Sequence, residues 1–208
     1  MVELTYRDNF IRLKIFPLAA AAYGTDKNIV DCLTEIYPEF KFIKNWVVKC
    51  QGVDASCSAF IAVSITDKAV VLAFRGTDTF WQLTHEVIET LFFQKVLSVF
   101  GHGYVAFYFD NIFTQLDKKG VTEEITGHSL GGALAAIAAA KLVHLNRIPQ
   151  DRVKLVTFGQ PRTGDSGFAA RMATELSFFN YRVVRARDLV VHIPPRVYED
   201  YAHYRTEV

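Results

Sequence analysis

One short stretch of the chain carries residue types arranged for nucleophilic chemistry. The run ITGHSLGGALAAIAAA contains Gly127-His128-Ser129-Leu130-Gly131, a G-x-S-x-G pattern of the kind that seats a reactive serine on a sharp strand-to-helix turn. A serine on such a turn is strained, so its neighbours must be small. Gly127, Gly131 and Gly132 let strand and helix approach where a Cβ would collide. The helix that follows presents its first N–H groups, and the amide of Leu130 is placed to donate to an oxyanion. The predicted chemistry is acyl transfer through a serine ester.

A nucleophilic serine needs a base and a group that orients the base. On this kind of turn the expected chain order is serine, carboxylate, histidine. Asp188, closing YRVVRARD, is the best-placed acid. Asp165 in PRTGD competes, but Thr163-Gly164-Asp165 reads more simply as a turn or helix cap. Only His192 and His203 follow Asp188. His192 is too close along an extended segment to fold back over the serine, which leaves His203 as the free histidine in sequence terms. A second oxyanion donor should come from an earlier strand end. AVVLAFRGTDTF supplies one, with Gly76 permitting a tight turn and the Thr77 amide and hydroxyl able to face a substrate oxygen. On this segment alone, a plain polar turn explains the same residues equally well.

These residues must be held by alternating strands and helices. SAFIAVSI (58–65) and AVVLAF (69–74) are apolar runs separated by Thr66-Asp67-Lys68, and they predict a hairpin. Apolar spacing predicts helices over 81–98 and 104–119, the second stopping at Lys118-Lys119-Gly120. A strand near 121–126 leads into Gly127, and an Ala-rich helix runs from about 131 to 146, before Pro149. Strands are predicted at 153–158 and 181–184, around a helix at 166–177. The order predicts an α/β fold with a mixed, mostly parallel sheet covered by helices.

Composition removes several function classes. A chain of 208 residues suits one domain, and 50% hydrophobic with 22% charged residues is globular rather than disordered. With 23 basic against 22 acidic residues, and no basic run longer than two, nothing points to nucleic acid. No apolar stretch approaches the roughly 20 residues of a membrane span. Cys50 and Cys57 are spaced to close a small disulfide loop, though three ordinary thiols fit equally well, and Cys32 has no obvious partner. The absence of CxxC argues against a zinc or thioredoxin-type site. At the N-terminus, Arg7, Arg12 and Lys14 with IFPLAAAAYG read either as a short export signal, interrupted by Pro17, or as the first helix of the domain.

Five stretches together resemble the class 3 lipases, the fungal-lipase-like family, in its nematode-type branch: PLAAAAYG, AVVLAFRGT, ITGHSLGGALA, VKLVTFGQPRTGD and YRVVRARDLVVHIPP. They stand in the family's order and extend over nearly the whole chain. The resemblance implies an α/β-hydrolase fold, apparently shortened, with one domain over 1–208 that is incomplete at its C-terminus. It implies Ser129 as nucleophile, Asp188 as triad acid, and Thr77 and Leu130 as oxyanion donors, acting on a lipid ester without metal or cofactor. It further implies an amphipathic lid near 79–93 meeting a lipid interface, export from the cell, a Cys50–Cys57 link, and PLAAAAY as the first helix.

Two departures qualify that expectation. The family's catalytic histidine lies beyond the segment that YAHYRTEV matches, and His203 matches a position that is not the general base. The connection from Phe113 to Gly127 is also compressed, and Glu123 and Glu124 stand where a central strand should be apolar. A second reading is therefore a catalytically inactive or truncated relative that binds lipid or a partner.

Overall fold

The first described helix is interrupted near its own proline. In the computed structural model, which describes residues 5–49, 56–66, 68–76, 92–117, 125–175, 179–197, 200–204 and 206–208, this helix, α1, comprises three joined pieces. They are Asp8–Phe10, a π-helical turn over Ile11–Ile15, and Phe16–Ala21. Pro17 has no N–H to offer the carbonyl a turn earlier, and helices commonly answer such a loss with a π-bulge. Here the Tyr37 hydroxyl donates to the freed region, 3.0 Å from Leu13 O and 2.8 Å from Lys14 O. Leu18 and Ala19 of PLAAAAY are buried, so this stretch packs as part of the domain.

Helix α2 (Asp26–Ile36) starts at a reciprocal cap between Thr25 and Asn28, which satisfies two otherwise orphaned N–H groups. Strand β1 (Phe40–Lys49) pairs antiparallel with β2 (Ser56–Ser64), and β2 with β3 (Ala69–Phe74), the predicted hairpin. Two short strands, β4 (Lys95–Leu97) and β5 (Tyr104–Ala106), precede helix α3 (Phe107–Asp117). Strand β6 (Ile125–His128) runs directly into helix α4 (Leu130–His144). There follow β7 (Lys154–Phe158), β8 (Gly164–Asp165), helix α5 (Ser166–Glu175), β9 (Phe179–Val183) and β10 (Tyr201–Ala202).

The main sheet has the order β1-β2-β3-β6-β7-β9, with β3, β6, β7 and β9 parallel. Beyond β9 the chain returns alongside: Arg182 N donates to Thr206 O at 3.0 Å and Val184 N to Val208 O at 2.9 Å. A second sheet, β10-β8-β5-β4, is antiparallel. The principal core lies where α3, α4 and α5 meet the sheets, with Phe74, Phe109, Ile112, Leu134, Leu155 and Met172 buried in it. Helix α4 is apolar all round and buried along most of its length, which its small alanines permit.

The segment 81–98, expected as one helix, is corrected in part: residues 95–97 form strand β4, and 81–91 lie outside the described residues. The helix expected over 104–119 begins only at Phe107, because Tyr104–Ala106 pairs with β4 instead. Glu123 and Glu124 lie outside the described residues, while Ile125 is 3% exposed and sits in register with Leu72 and Leu155. Cys57 is disulfide-bonded and Cys32 is a free thiol; the partner expected from the resemblance, Cys50, lies outside the described residues.

Candidate active site

The ends of β3, β6 and β7 converge on one residue. Ser129 links β6 to α4 with φ 58° and ψ −127°, a conformation that a side-chain-bearing residue adopts only under strain. Its N–H donates to Phe158 O at 2.8 Å, extending the β6–β7 ladder by one residue. Two glycines make the turn possible. A Cβ on Gly127 would lie 2.3 Å from Gly131 O, and one on Gly131 would lie 2.3 Å from Phe74 O. No side chain fits at either position, so the glycines of the motif are dictated by the close approach of β3, β6 and α4. Ser129 is 4% exposed and its Oγ makes no hydrogen bond. Leu130 is the first residue of α4, so its N–H has no acceptor a turn earlier within the helix and points with the positive end of the helix dipole.

The strand end carrying the expected second oxyanion donor does reach the elbow. A Cβ on Gly76 would stand 2.7 Å from His128 O and 3.2 Å from Ser129 Cβ. Thr77 itself lies outside the described residues. Arg75 turns away from the site, its Nη2 donating to Ser56 O and to Ser56 Oγ at 2.6 Å.

Asp188 lies on the turn after β9, on the same edge of the sheet. Its Oδ1 accepts the Val190 N–H at 2.9 Å, and its own N–H donates to Arg185 O at 3.1 Å. Gly159, which follows β7 with φ 56°, separates it from His128: a Cβ there would lie 2.9 Å from Asp188 Oδ2 and 3.6 Å from His128 Nε2. His128 Nδ1 is 2.8 Å from the Tyr23 hydroxyl, with the two rings 5.7 Å apart. The His128 residue keeps surface toward solvent, but neighbouring atoms crowd its ring. That burial pushes its pKa below the ordinary histidine value, and the Asp188 charge opposes the shift in part. A cavity of about 710 Å³ adjoins His128, Gly159 and Asp188, walled by Ile11, Phe16 and Phe158.

The two later histidines are not brought to Ser129. His203 Nε2 meets Val191 O at 2.7 Å, so that nitrogen carries the proton and donates. Burial, reinforced by Arg182, pushes the His203 pKa down to about 3, and the ring is neutral. His192 is exposed on a 3₁₀ turn (Val190–His192). Of the other described histidines, His144 meets Glu175 at 3.2 Å and His102 is exposed. Asp165 caps α5 as expected, its Oδ1 accepting Phe168 N–H and Tyr104 N–H, each at 2.9 Å.

Sequence reasoning missed Tyr23, Gln160 and Arg162. Gln160 Oε1 accepts the Thr157 and Tyr204 hydroxyls at 2.7 and 2.8 Å, while its Nε2 donates to Thr163 Oγ1 at 2.7 Å. This network lies beneath the elbow, since a Cβ on Gly132 would meet Gln160 Cβ at 3.1 Å. The signal was present in FGQPRT, whose polar side chains follow a buried strand.

A parallel sheet that hands a strained, positive-φ serine to a buried helix, with a carboxylate on the turn after a later strand, defines an α/β-hydrolase. Residues 71–198 match the family described as Lipase (class 3), and the chain belongs to that family. It is 31% identical over 206 residues to Lipase ZK262.3 of Caenorhabditis elegans, covering 92% of this chain and 57% of that protein. It is 42% identical over 83 residues to the secreted mono- and diacylglycerol lipase 1 of Fusarium solani, covering 40% of this chain and 23% of that one. The crystal structure of the lipase from Rhizopus microsporus var. chinensis superposes with a TM-score of 0.74 at 25% identity, covering 94% of this chain and 72% of that chain. The chain spans little more than half the length of the nematode relative.

Proposed function

We propose that this chain carries the nucleophile, acid and oxyanion elements of a lipid ester hydrolase acting on acylglycerols. The observation that carries the reading is Ser129 itself, held at φ 58° at the mouth of α4 with an unbonded hydroxyl. In the reaction Ser129 Oγ adds to the ester carbonyl carbon, and the carbonyl oxygen becomes an oxyanion facing the Leu130 N–H. Collapse expels the alcohol and leaves an acyl-serine, which water then hydrolyses. The Ser129 proton must pass through a base to the leaving alkoxide. Asp188 is the group that would orient such a base. Among the described residues, no histidine is hydrogen-bonded to Ser129. Thr77 adds the second oxyanion contact in this reading. The names of the nematode and fungal relatives support the substrate class.

Residues 79–93 act in this reading as a lid at a lipid interface. Its described end is anchored: Phe92 is fully buried and its carbonyl accepts the Tyr201 hydroxyl at 2.8 Å, while Phe93 is 67% exposed. A disulfide at Cys57 and a secreted relative support export. No helix among the described residues is long and apolar enough to cross a membrane.

The test is labelling with a fluorophosphonate, together with hydrolysis of mono- and diacylglycerol emulsions, with Ser129→Ala as control. Labelling and fatty-acid release that both vanish in the variant are expected. A folded protein that neither labels nor turns over would overturn the hydrolase reading.

A further inference from the structure

One contact at the site is used by none of the steps above. Tyr23 follows α1, and its hydroxyl reaches two strand ends at once. It lies 2.8 Å from His128 Nδ1 at the end of β6, and 2.6 Å from where a Gly76 Cβ would stand beyond β3. A glycine at position 76 is therefore what admits the hydroxyl. On the far side of the imidazole, Nε2 borders the small space over Gly159 that Asp188 Oδ2 also borders. The other carboxylate oxygen, Oδ1, is already held by the Val190 N–H. Asp188 thus has one oxygen fixed by its own turn and the other bordering the same space as His128 Nε2.

We propose that Tyr23 and His128 form a positioning pair for Asp188, in which the Tyr23 hydroxyl donates to Nδ1 and so keeps the imidazole proton on Nε2, the nitrogen on the side of the carboxylate. The argument is one of tautomers: a neutral imidazole has one donor and one acceptor nitrogen, and the partner of one fixes the role of the other. A hydroxyl can donate to Nδ1 only if Nδ1 is bare, which leaves the N–H on Nε2. That N–H lies on the side where Asp188 Oδ2 borders the space over Gly159, so the imidazole offers the carboxylate a donor rather than a lone pair. Neither residue touches the reacting atoms, and both act through Asp188. This inference rests on Asp188 serving as the triad acid.

The arrangement sets an acid limit. Protonation of His128 fills Nδ1, so Nδ1 can no longer accept from Tyr23, and a full positive charge appears on the ring near Asp188. The other charged or titratable groups bordering the same cavity are Tyr6, Asp8, Arg12, Arg185 and Arg187. Asp8 is bonded to Arg12, which holds its carboxyl below the usual range. Imidazole is the side-chain type whose ordinary range lies near neutrality, so an acid limb in that region belongs to His128 or to the base.

Two measurements test the proposal. The first, independent of activity, is the imidazole nitrogen spectrum of His128 in the full chain, in wild type and in Tyr23→Phe. Wild type should show the Nε2–H tautomer, Tyr23→Phe should show a mixture, and Asp188→Asn should lower the His128 titration midpoint. A tautomer unchanged by Tyr23→Phe, or a midpoint unmoved by Asp188→Asn, overturns the pair. The second is hydrolysis of a soluble short-chain ester. Tyr23→Phe and His128→Gln should each lower kcat about tenfold, the loss of one orienting hydrogen bond, with KM unchanged. The double variant should be no worse than His128→Gln alone. Additive losses, or losses confined to KM, overturn it. If wild type shows no Ser129-dependent turnover, the hydrolase reading fails, and the spectrum alone still decides whether the pair exists.

Discussion

Replacing Ser129 by glycine and by alanine separates the chemical role of the residue from its backbone strain. Both variants remove Oγ, which is buried without a hydrogen-bond partner, and both should abolish turnover. Only glycine also relieves φ 58°, ψ −127°. Holding a side-chain-bearing residue in such a region costs about 1–3 kcal/mol, whereas glycine loses about 0.5–1 kcal/mol through its greater freedom in the unfolded chain. The balance favours Ser129→Gly over Ser129→Ala by about 1 kcal/mol, or roughly 2–4 °C in Tm for a chain of this size. Alanine in turn should match or exceed wild type, because it removes an unsatisfied buried hydroxyl. The assay is thermal or urea unfolding of the three proteins side by side, followed by circular dichroism. If Ser129→Gly proves no more stable than Ser129→Ala, the elbow is not strained in solution, and the strain argument at Ser129 is refuted.

Two further predictions concern parts of the fold remote from the chemistry. The His203 pKa is depressed from the ordinary 6.5 to about 3, first by burial and then by Arg182. The unfolded chain therefore binds a proton that the folded chain refuses. The stability this residue contributes is complete above pH 6.5 and drains away as pH falls toward 3, a loss on the order of a few kcal/mol. Urea midpoints of His203→Gln should accordingly fall less steeply on the acid side than those of wild type, and parallel acid slopes would refute the assignment. Tyr37, 1% exposed, donates to the carbonyls of Leu13 and Lys14, so Tyr37→Phe should lower stability by about 1 kcal/mol. An unchanged Tm would mean that the π-turn satisfies those carbonyls without it.

The elbow was legible in the sequence because its constraints are local. A glycine two residues on either side of a serine, between an apolar strand and an alanine-rich helix, admits few other foldings, and the parallel arrangement followed from the alternation around it. Strand β1 was not legible: FKFIKNWVVK alternates, but its lysines and a register shift between Phe42 and Lys44 break the period. The small second sheet was missed for another reason. Its strands are two or three residues long, too short to set a period, and they exist only because they find one another. Tyr23 was quoted at the end of PLAAAAYG, but its use depends on a contact 105 residues away, which no local pattern encodes.

The polar residues of FGQPRTGD show how sequence can suggest chemistry where the structure shows support. Arg162 is 9% exposed, and its Nη1 donates to the carbonyls of His192 and Pro194. Burial pushes its pKa down, with further lowering from Arg196 and Arg182. A buried guanidinium is costly unless its donors are used, and here they bind the chain that continues from Asp188 to the end of β7. Gln160, two residues earlier, ties Thr157 at the end of β7 to Tyr204. The chain after the Asp188 turn is thereby tied by Arg162 to the end of β7, while Gln160 ties the segment at Tyr204 to the same strand. In the proposed reading, such side chains set the position of Asp188 relative to Ser129. A site built from the ends of four strands needs such clamps, because strand ends are where a sheet's own hydrogen bonds run out.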